Sequence, residues 1–355
     1  MSYTGPYAKV HQNATGPGDA RPTALQVVHD QGLIGKLGYI SIAVTGGSTG
    51  ISRETVKALH ATGAQLFVLV PTSELSKPFA DDIANENKRD PKLSKFEQTF
   101  KPIETIAMDL GSFTSVRDAA KHLQTAIPNG LNVLICNAGV MSPPFTATKE
   151  GFEPHFGINF LGHFLLLREL EDHLALGARN APSFASRVVT LSSLGHRARN
   201  LDPADLPPPV PKETTTQSSP QLYTDSKLET LWMANEAERR LSSKGIHSMS
   251  VSPGSIETPL TASSGGWEGI RAMMADVVED FDRLTKNLEQ GAATTVWGAI
   301  SKDMEGRGGV YLDDVQIASP AKEGTPAFTH GYAPHAYDEA SERALWELAD
   351  GLIGQ

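Results

Sequence analysis

The chain has 355 residues, 39% of them apolar and 20% charged, with a formal net charge of -10, which suits one large or two small globular domains. That negative balance excludes a general nucleic-acid binder, which needs clustered Lys and Arg to neutralise phosphates, and leaves a small molecule as the expected partner. A single cysteine, Cys136, excludes an internal disulfide, and neither CxxC nor Cys/His ligand spacing occurs, so no metal is expected and a reducing, cytoplasmic setting is. The N-terminus carries no signal-like apolar run, and no stretch of about 18 apolar residues predicts a membrane span.

Residues 1–22 are rich in Gly, Pro and polar types, a composition that predicts a mobile arm, and Thr23 to Leu33 reads as a short helix. A β-rich run, Tyr39 to Val44, leads into Thr45-Gly46-Gly47-Ser48-Thr49-Gly50-Ile51-Ser52. A helix from Arg53 to Ala61 and a strand over Leu66 to Val70 follow, completing a βαβ unit and implying a parallel sheet. The alternation continues with strands at Ile103 to Met108, Leu131 to Cys136, Arg187 to Leu191, Gly245 to Val251 and Gly309 to Leu312. Helices are expected over Ser112 to Ala126, Phe156 to His173, from Tyr223 onward, and over Leu288 to Ser301. The pattern predicts a single doubly wound α/β domain with a mainly parallel sheet of about seven strands. Its expected limits are 38–320, between an N-terminal extension (1–37) and a C-terminal extension (321–355) packing on the domain. Asn85 to Gln98 reads as a charged surface stretch and Asn200 to Pro220 as a long irregular loop. Residues 255–287, with Trp267, Met273, Met274 and Phe281, follow a strand end on the ligand side and make a candidate substrate lid.

A glycine turn between the first strand and first helix can present backbone amides to a phosphate, with Ser48 and Thr49 adding hydroxyl donors, or can be a plain tight turn. The second strand ends Val70-Pro71-Thr72-Ser73, with the nearest acid later at Glu74. Nothing there repels a 2'-phosphate and Thr72 can donate to one, which favours NADP while leaving NAD possible. Asp109 suits an adenine-edge contact or an N-cap for the following helix. Asn137-Ala138-Gly139 lets a strand end pass close to a flat ligand. Asn159, on an apolar helix, bonds backbone locally or serves a site. Ser192-Ser193 offers a hydroxyl to a carbonyl or forms an ordinary turn, and backbone near Ile256, beyond Pro253-Gly254, can meet a carboxamide. Tyr223 and Lys227 share a helix face four residues apart, an arrangement that assists proton exchange but also arises on many amphipathic helices.

Together these motifs resemble the short-chain dehydrogenase/reductase family over residues 39–313, a Rossmann-like fold. Asn159-Phe160-Leu161-Gly162-His163-Phe164 and the stretched gap from Ser193 to Tyr223 resemble its retinol-dehydrogenase-like branch, and the tail resembles fungal members of that branch, many acting in secondary metabolism. The resemblance implies Tyr223 as acid/base, Lys227 lowering the Tyr223 pKa and holding the nicotinamide ribose, Ser193 orienting the carbonyl, and Asn159 holding a water that links Lys227 to solvent. It implies nucleotide contacts from Gly46, Ser48, Thr49, Gly50, Ile51, Thr72, Asp109, Leu110, Asn137, Ala138, Gly139, Pro253, Gly254, Ile256 and Thr258. The chain departs from the family at Ser52, often glycine, and at Cys136, often asparagine. The expected activity is NADP(H)-dependent interconversion of a carbonyl and a secondary alcohol on an apolar small molecule, by a monomer or homodimer. Alternatives are a same-fold isomerase, dehydratase or cyclase, or a non-catalytic NADP-sensing protein.

Overall fold

The computed structural model describes residues 4–71, 73–144, 146–206, 219–326 and 328–354. Its strands are β1 Ser41–Thr45, β2 Gln65–Val70, β3 Glu104–Ala107, β4 Val133–Cys136, β5 Ser186–Leu191, β6 Ile246–Val251, β7 Val310–Asp313 and β8 Gln316–Ile317. They form one sheet in the order β3-β2-β1-β4-β5-β6-β7-β8, parallel except for the β7–β8 pair. The eighth strand, beyond the seven expected, is a two-residue return through Asp314 and Val315, both at positive φ. So short a strand shows no period of two in sequence.

The helices are α1 Ala8–Gln12, α2 Ala24–Asp30, α3 Gly50–His60, α4 Ser73–Arg89, α5 Phe113–Ala126, α6 Gly162–Asn180, α7 Ser219–Leu241, α8 Gly266–Met273, α9 Val278–Leu284, α10 Leu288–Gly291, α11 Ala293–Ile300 and α12 Glu339–Ile353. The continuous apolar strand β4 and the more mixed β5 are buried on both faces, as parallel strands covered by helices must be. One core packs α5, α6, α7 and α12 on the sheet, and the other packs α2, α3, α4 and α11. The expected charged stretch from Asn85 is the end of α4 followed by a 3-10 turn, Ser94–Thr99. Part of the expected loop, 207–218, lies outside the described residues.

Neighbouring β1 and β4 continue to opposite sides of the sheet, and in such sheets a crevice opens beyond the strand carboxyl ends at that point.

Residues 4–21 lie against the sheet's far end rather than apart from it. The amides of Thr4 and Gly5 donate to Gln316 Oε1 at 2.7 and 2.9 Å, and His11 pairs with Asp314 at 3.2 Å. Arg21 is buried and donates to the carbonyls of Gly16, Leu284 and Thr285 while pairing with Asp19 at 2.8 Å. Leu284 and Thr285 lie more than 260 residues away, so local composition carries no trace of them. Replacing Arg21 with Ala takes this donor from the buried Leu284 and Thr285 carbonyls and the ion pair from Asp19, and is expected to cost about 1–3 kcal/mol. Urea unfolding and faster proteolysis within residues 4–21 are the readouts.

Segment 255–287 forms a 3-10 turn, Pro259–Ser264, then α8 and α9. Trp267 stacks on Phe281 at 5.4 Å between centroids, and Arg271 bridges to Asp282 at 2.7 Å. Met273 is left exposed.

Candidate active site

β1 delivers Thr45 to the crevice, and the chain then turns through Gly46 and Gly47 into α3. Gly47 has φ of +122°, and a Cβ there would lie 2.5 Å from Val68 Cγ1, so only glycine lets the loop fold back on β2. Thr49 sits at the N-cap of α3 without a side-chain cap bond, which leaves its hydroxyl and the first helical amides for another acceptor. The Ser52 hydroxyl donates back to the Thr49 carbonyl at 2.9 Å, so its side chain turns into the helix's own first turn.

This loop and the β4 end, Asn137 to Gly139, wall a cleft of about 290 Å³. Gly46, Ser48, Thr49, Gly50 and Ile51 line one side, and Ala138, Pro253 and Thr258 also face it. Tyr223 and Lys227 from α7 close its inner end. Asn137 Oδ1 is buried in this wall with no hydrogen-bond partner among the described residues, an acceptor suited to a donor such as an adenosine ribose or a base edge. Gly139 is a close approach, since a Cβ there would lie 3.0 Å from Asn159 Oδ1.

The Lys227 ammonium lies 5.5 Å from the Tyr223 ring centroid and donates to the Leu191 carbonyl at 2.8 Å. The Ser193 hydroxyl hydrogen-bonds with Tyr223 and also accepts the Gly195 amide at 3.0 Å. Its neighbour Ser192 is structural, donating to the Lys227 carbonyl at 2.7 Å. Asn159 bonds backbone, but at a distance in sequence. Its amide pairs with both backbone groups of Val140, at 2.8 and 3.0 Å, and donates to Ser226 Oγ at 2.9 Å, tying the β4 turn to α7.

A model of the short chain dehydrogenase family matches residues 41–200. "Oxidoreductase calI" of Penicillium decumbens is 36% identical over 98% of this chain and 97% of its own length, and "Short-chain dehydrogenase/reductase prx1" of Penicillium roqueforti is 37% identical over 97% and 94%. The chain belongs to the short-chain dehydrogenase/reductase family. Its fold is also that of 3-ketoacyl-(acyl-carrier-protein) reductase from Brucella melitensis complexed with NADH, at a TM-score of 0.54 and 19% identity, over 77% of this chain and 96% of that one. It is an NAD(P)-dependent short-chain oxidoreductase, and the crevice at the switch between β1 and β4 fits a nicotinamide nucleotide through its glycine cradle and the unpaired Asn137 acceptor.

Burial sets the electrostatics of this dehydrogenase. The Tyr223 phenol is pushed up to about 12 by burial, with the Ser193 hydrogen bond pulling the other way. Lys227 is brought down to about 8, again by burial. Desolvation is the largest influence on both groups, and at Tyr223 the Ser193 hydrogen bond is what favours the phenolate. Cys136, buried at the end of β4, has its thiol pushed up to about 12 and is core packing.

Several expected nucleotide contacts lie elsewhere. Asp109 accepts the Gly111 amide at 2.9 Å and lies 3.9 Å from Lys149, and the N-cap of α5 is Ser112 rather than Asp109. Leu110 is buried in the core, Gly254 packs on the Lys286 side chain, and Ile256 is buried beside Gly291, so none of the three lines the cleft. Thr72 lies outside the described residues.

Three buried histidines brace the site, and sequence reading singled out none of them. His155 Nε2 accepts the Ser142 amide at 3.0 Å while Nδ1 faces Glu153 at 2.6 Å, and its ring stands edge-on to Tyr223. This brace holds Ser142 at a φ of +48°, strained for a residue with a Cβ. His196 holds the Ser193 carbonyl at 2.7 Å and accepts the Ala333 amide. His163 links Asn159 to Thr45. The nearest sequence signal was a histidine in an otherwise apolar run, which by itself fits a core residue equally well.

Proposed function

We propose that this protein is an NADP(H)-dependent reductase interconverting a carbonyl and a secondary alcohol on an apolar small molecule, in the manner of fungal secondary-metabolite enzymes. The observation that carries the reading is that Tyr223 and Lys227 meet in the glycine-loop cleft, with Ser193 hydrogen-bonded to Tyr223. A nicotinamide cofactor bound there supplies or accepts the hydride. Ser193 orients the substrate oxygen by hydrogen bonding, and Tyr223 donates a proton to it in reduction or removes one from an alcohol in oxidation. A phenol pushed up to about 12 keeps its proton at neutral pH, available for donation to a carbonyl oxygen in reduction. Asn159 maintains the spacing of the β4 turn and α7, and Lys227 serves the ribose hydroxyls.

The apolar character of the substrate is supported by the cleft-lining Leu260 and by the Trp267–Phe281 stack with exposed Met273 in 255–287, which we assign as the substrate lid. The NADP preference rests on the lack of a carboxylate from Val70 to Ser73. Among the described residues no helix is long and apolar enough to cross a membrane.

Titration of the protein with NADPH and NADH, followed by nucleotide fluorescence, tests the cofactor assignment. NADPH is expected to bind tighter, and its affinity to weaken as pH rises through about 8, where Lys227 loses its charge. Tighter NADH binding would overturn the preference.

A further inference from the structure

His163 lies in the first turn of α6, just after a π-helical segment, His155–Leu161. The wide π turn changes the helical register, and the His163 ring comes beneath the Asn159 carbonyl, with Nδ1 2.9 Å from that oxygen. Its Nε2 lies 2.8 Å from Thr45 Oγ1. Thr45 Oγ1 in turn receives the amides of Asn137 at 2.9 Å and Ala138 at 3.0 Å. The ring is 1% exposed, so water does not share these bonds.

One arrangement of protons satisfies both ring contacts, the Thr45 hydroxyl having as its other acceptor only the Ile135 carbonyl at 3.5 Å. A carbonyl oxygen can only accept, so Nδ1 carries the hydrogen. The neutral ring then has a bare Nε2, which must accept, and the Thr45 hydroxyl is its donor. With its proton committed, Thr45 Oγ1 offers its lone pairs to the two amides of the β4 turn. Burial keeps the ring neutral, bringing it down to about 4. The other neutral tautomer would set two lone pairs against each other at Asn159, and the imidazolium would leave the Thr45 proton without this acceptor. Each link therefore fixes the next, from α7 through Ser226 and Asn159 to His163, Thr45 and the nucleotide loop that begins at Gly46.

We propose that His163 is a positioning residue for the reaction, holding the β4 turn and the nucleotide loop at a fixed separation from the Tyr223 helix through Thr45. The inference rests on the cleft binding a nicotinamide nucleotide, as proposed above. Loss of the ring leaves the Thr45 hydroxyl only the longer 3.5 Å contact to the Ile135 carbonyl as acceptor and takes the Nδ1–H donor from the Asn159 carbonyl, in a dry interior.

The test combines nucleotide binding with imidazole nitrogen NMR on the full-length protein. In the wild type, the His163 signals at neutral pH should be those of the neutral Nδ1–H tautomer. A neutral Nε2–H tautomer or an imidazolium would overturn the proposal, and this readout needs no variant to fold. His163→Leu should weaken NADPH binding on the order of tenfold. Its effect should fall mainly on the KM for nucleotide, and His163→Gln should recover part of the loss. Thr45→Val should cost a similar factor, and the double variant little more than either single one, since both break the same chain. Fully additive losses, or His163→Leu binding as tightly as wild type, would remove the inference alone. Failure of the wild type to bind either nucleotide would remove the reading beneath it, while the tautomer measurement would still report on the chain.

Discussion

Tyr223→Phe should lower turnover by about 10²–10⁴-fold, the usual contribution of a positioned acid/base, while NADPH still binds. The substitution removes one oxygen. The aromatic ring keeps its contacts with Lys227 and His155, which lie 5.5 and 6.3 Å from its centroid, so the cleft keeps its shape. What is lost is the proton that a phenol held near 12 retains at neutral pH and delivers to the substrate oxygen. Steady-state rates and nucleotide titration on the same preparation separate the two effects. Retained turnover would show that proton transfer runs through another group.

Trp346→Ala is expected to reduce stability by about 3–5 kcal/mol, measured by urea unfolding, although Trp346 lies outside the cleft. Trp346 sits in α12 and is fully buried, edge-on to Phe164 of α6 at 4.8 Å, with the guanidinium groups of Arg168 and Arg240 at 5.6 and 5.3 Å from its ring. The tail that carries it is fastened to α7: Trp232 and Asn235 donate to the carbonyls of His335 and Ala336, and Arg239 pairs with Glu342. α7 also carries Tyr223 and Lys227. Loss of the indole therefore loosens the outer support of the helix that holds both groups. A change in midpoint well below this range would mean that the tail packs elsewhere in solution.

The parts legible in the sequence are those whose physics is local. The run into Thr45 to Ser52 and on through α3 to β2 shows its strand, turn and helix within thirty residues, and Tyr223 and Lys227 show their shared face in one helical turn. The mainly parallel sheet follows from the alternation of such units. What sequence could not show depends on distant partners. Arg21 reads as one polar residue in a Gly- and Pro-rich arm, because Leu284 and Thr285 give no local sign that they will accept its hydrogen bonds. Asn159 reads as site or scaffold alike until Val140 and Ser226 are placed beside it. His163 is hidden further, since a period of 3.6 does not foresee the π turn that brings its ring under the Asn159 carbonyl. The burial of Tyr223 is hidden for a related reason: spacing reveals the neighbouring cation, whereas desolvation is a property of the assembled fold.

The central claim is that Tyr223 supplies a proton while hydride passes between a nicotinamide and a carbonyl carbon. Incubation with NADPH deuterated at the transferring carbon and a panel of apolar cyclic and aryl ketones, with mass analysis of products, tests it most directly. One deuterium per molecule of alcohol formed by the wild type, matched by NADPH consumed and absent with Tyr223→Phe, is the predicted result. Product that forms without label and without loss of NADPH would contradict it and indicate isomerisation, dehydration or cyclisation on the same fold.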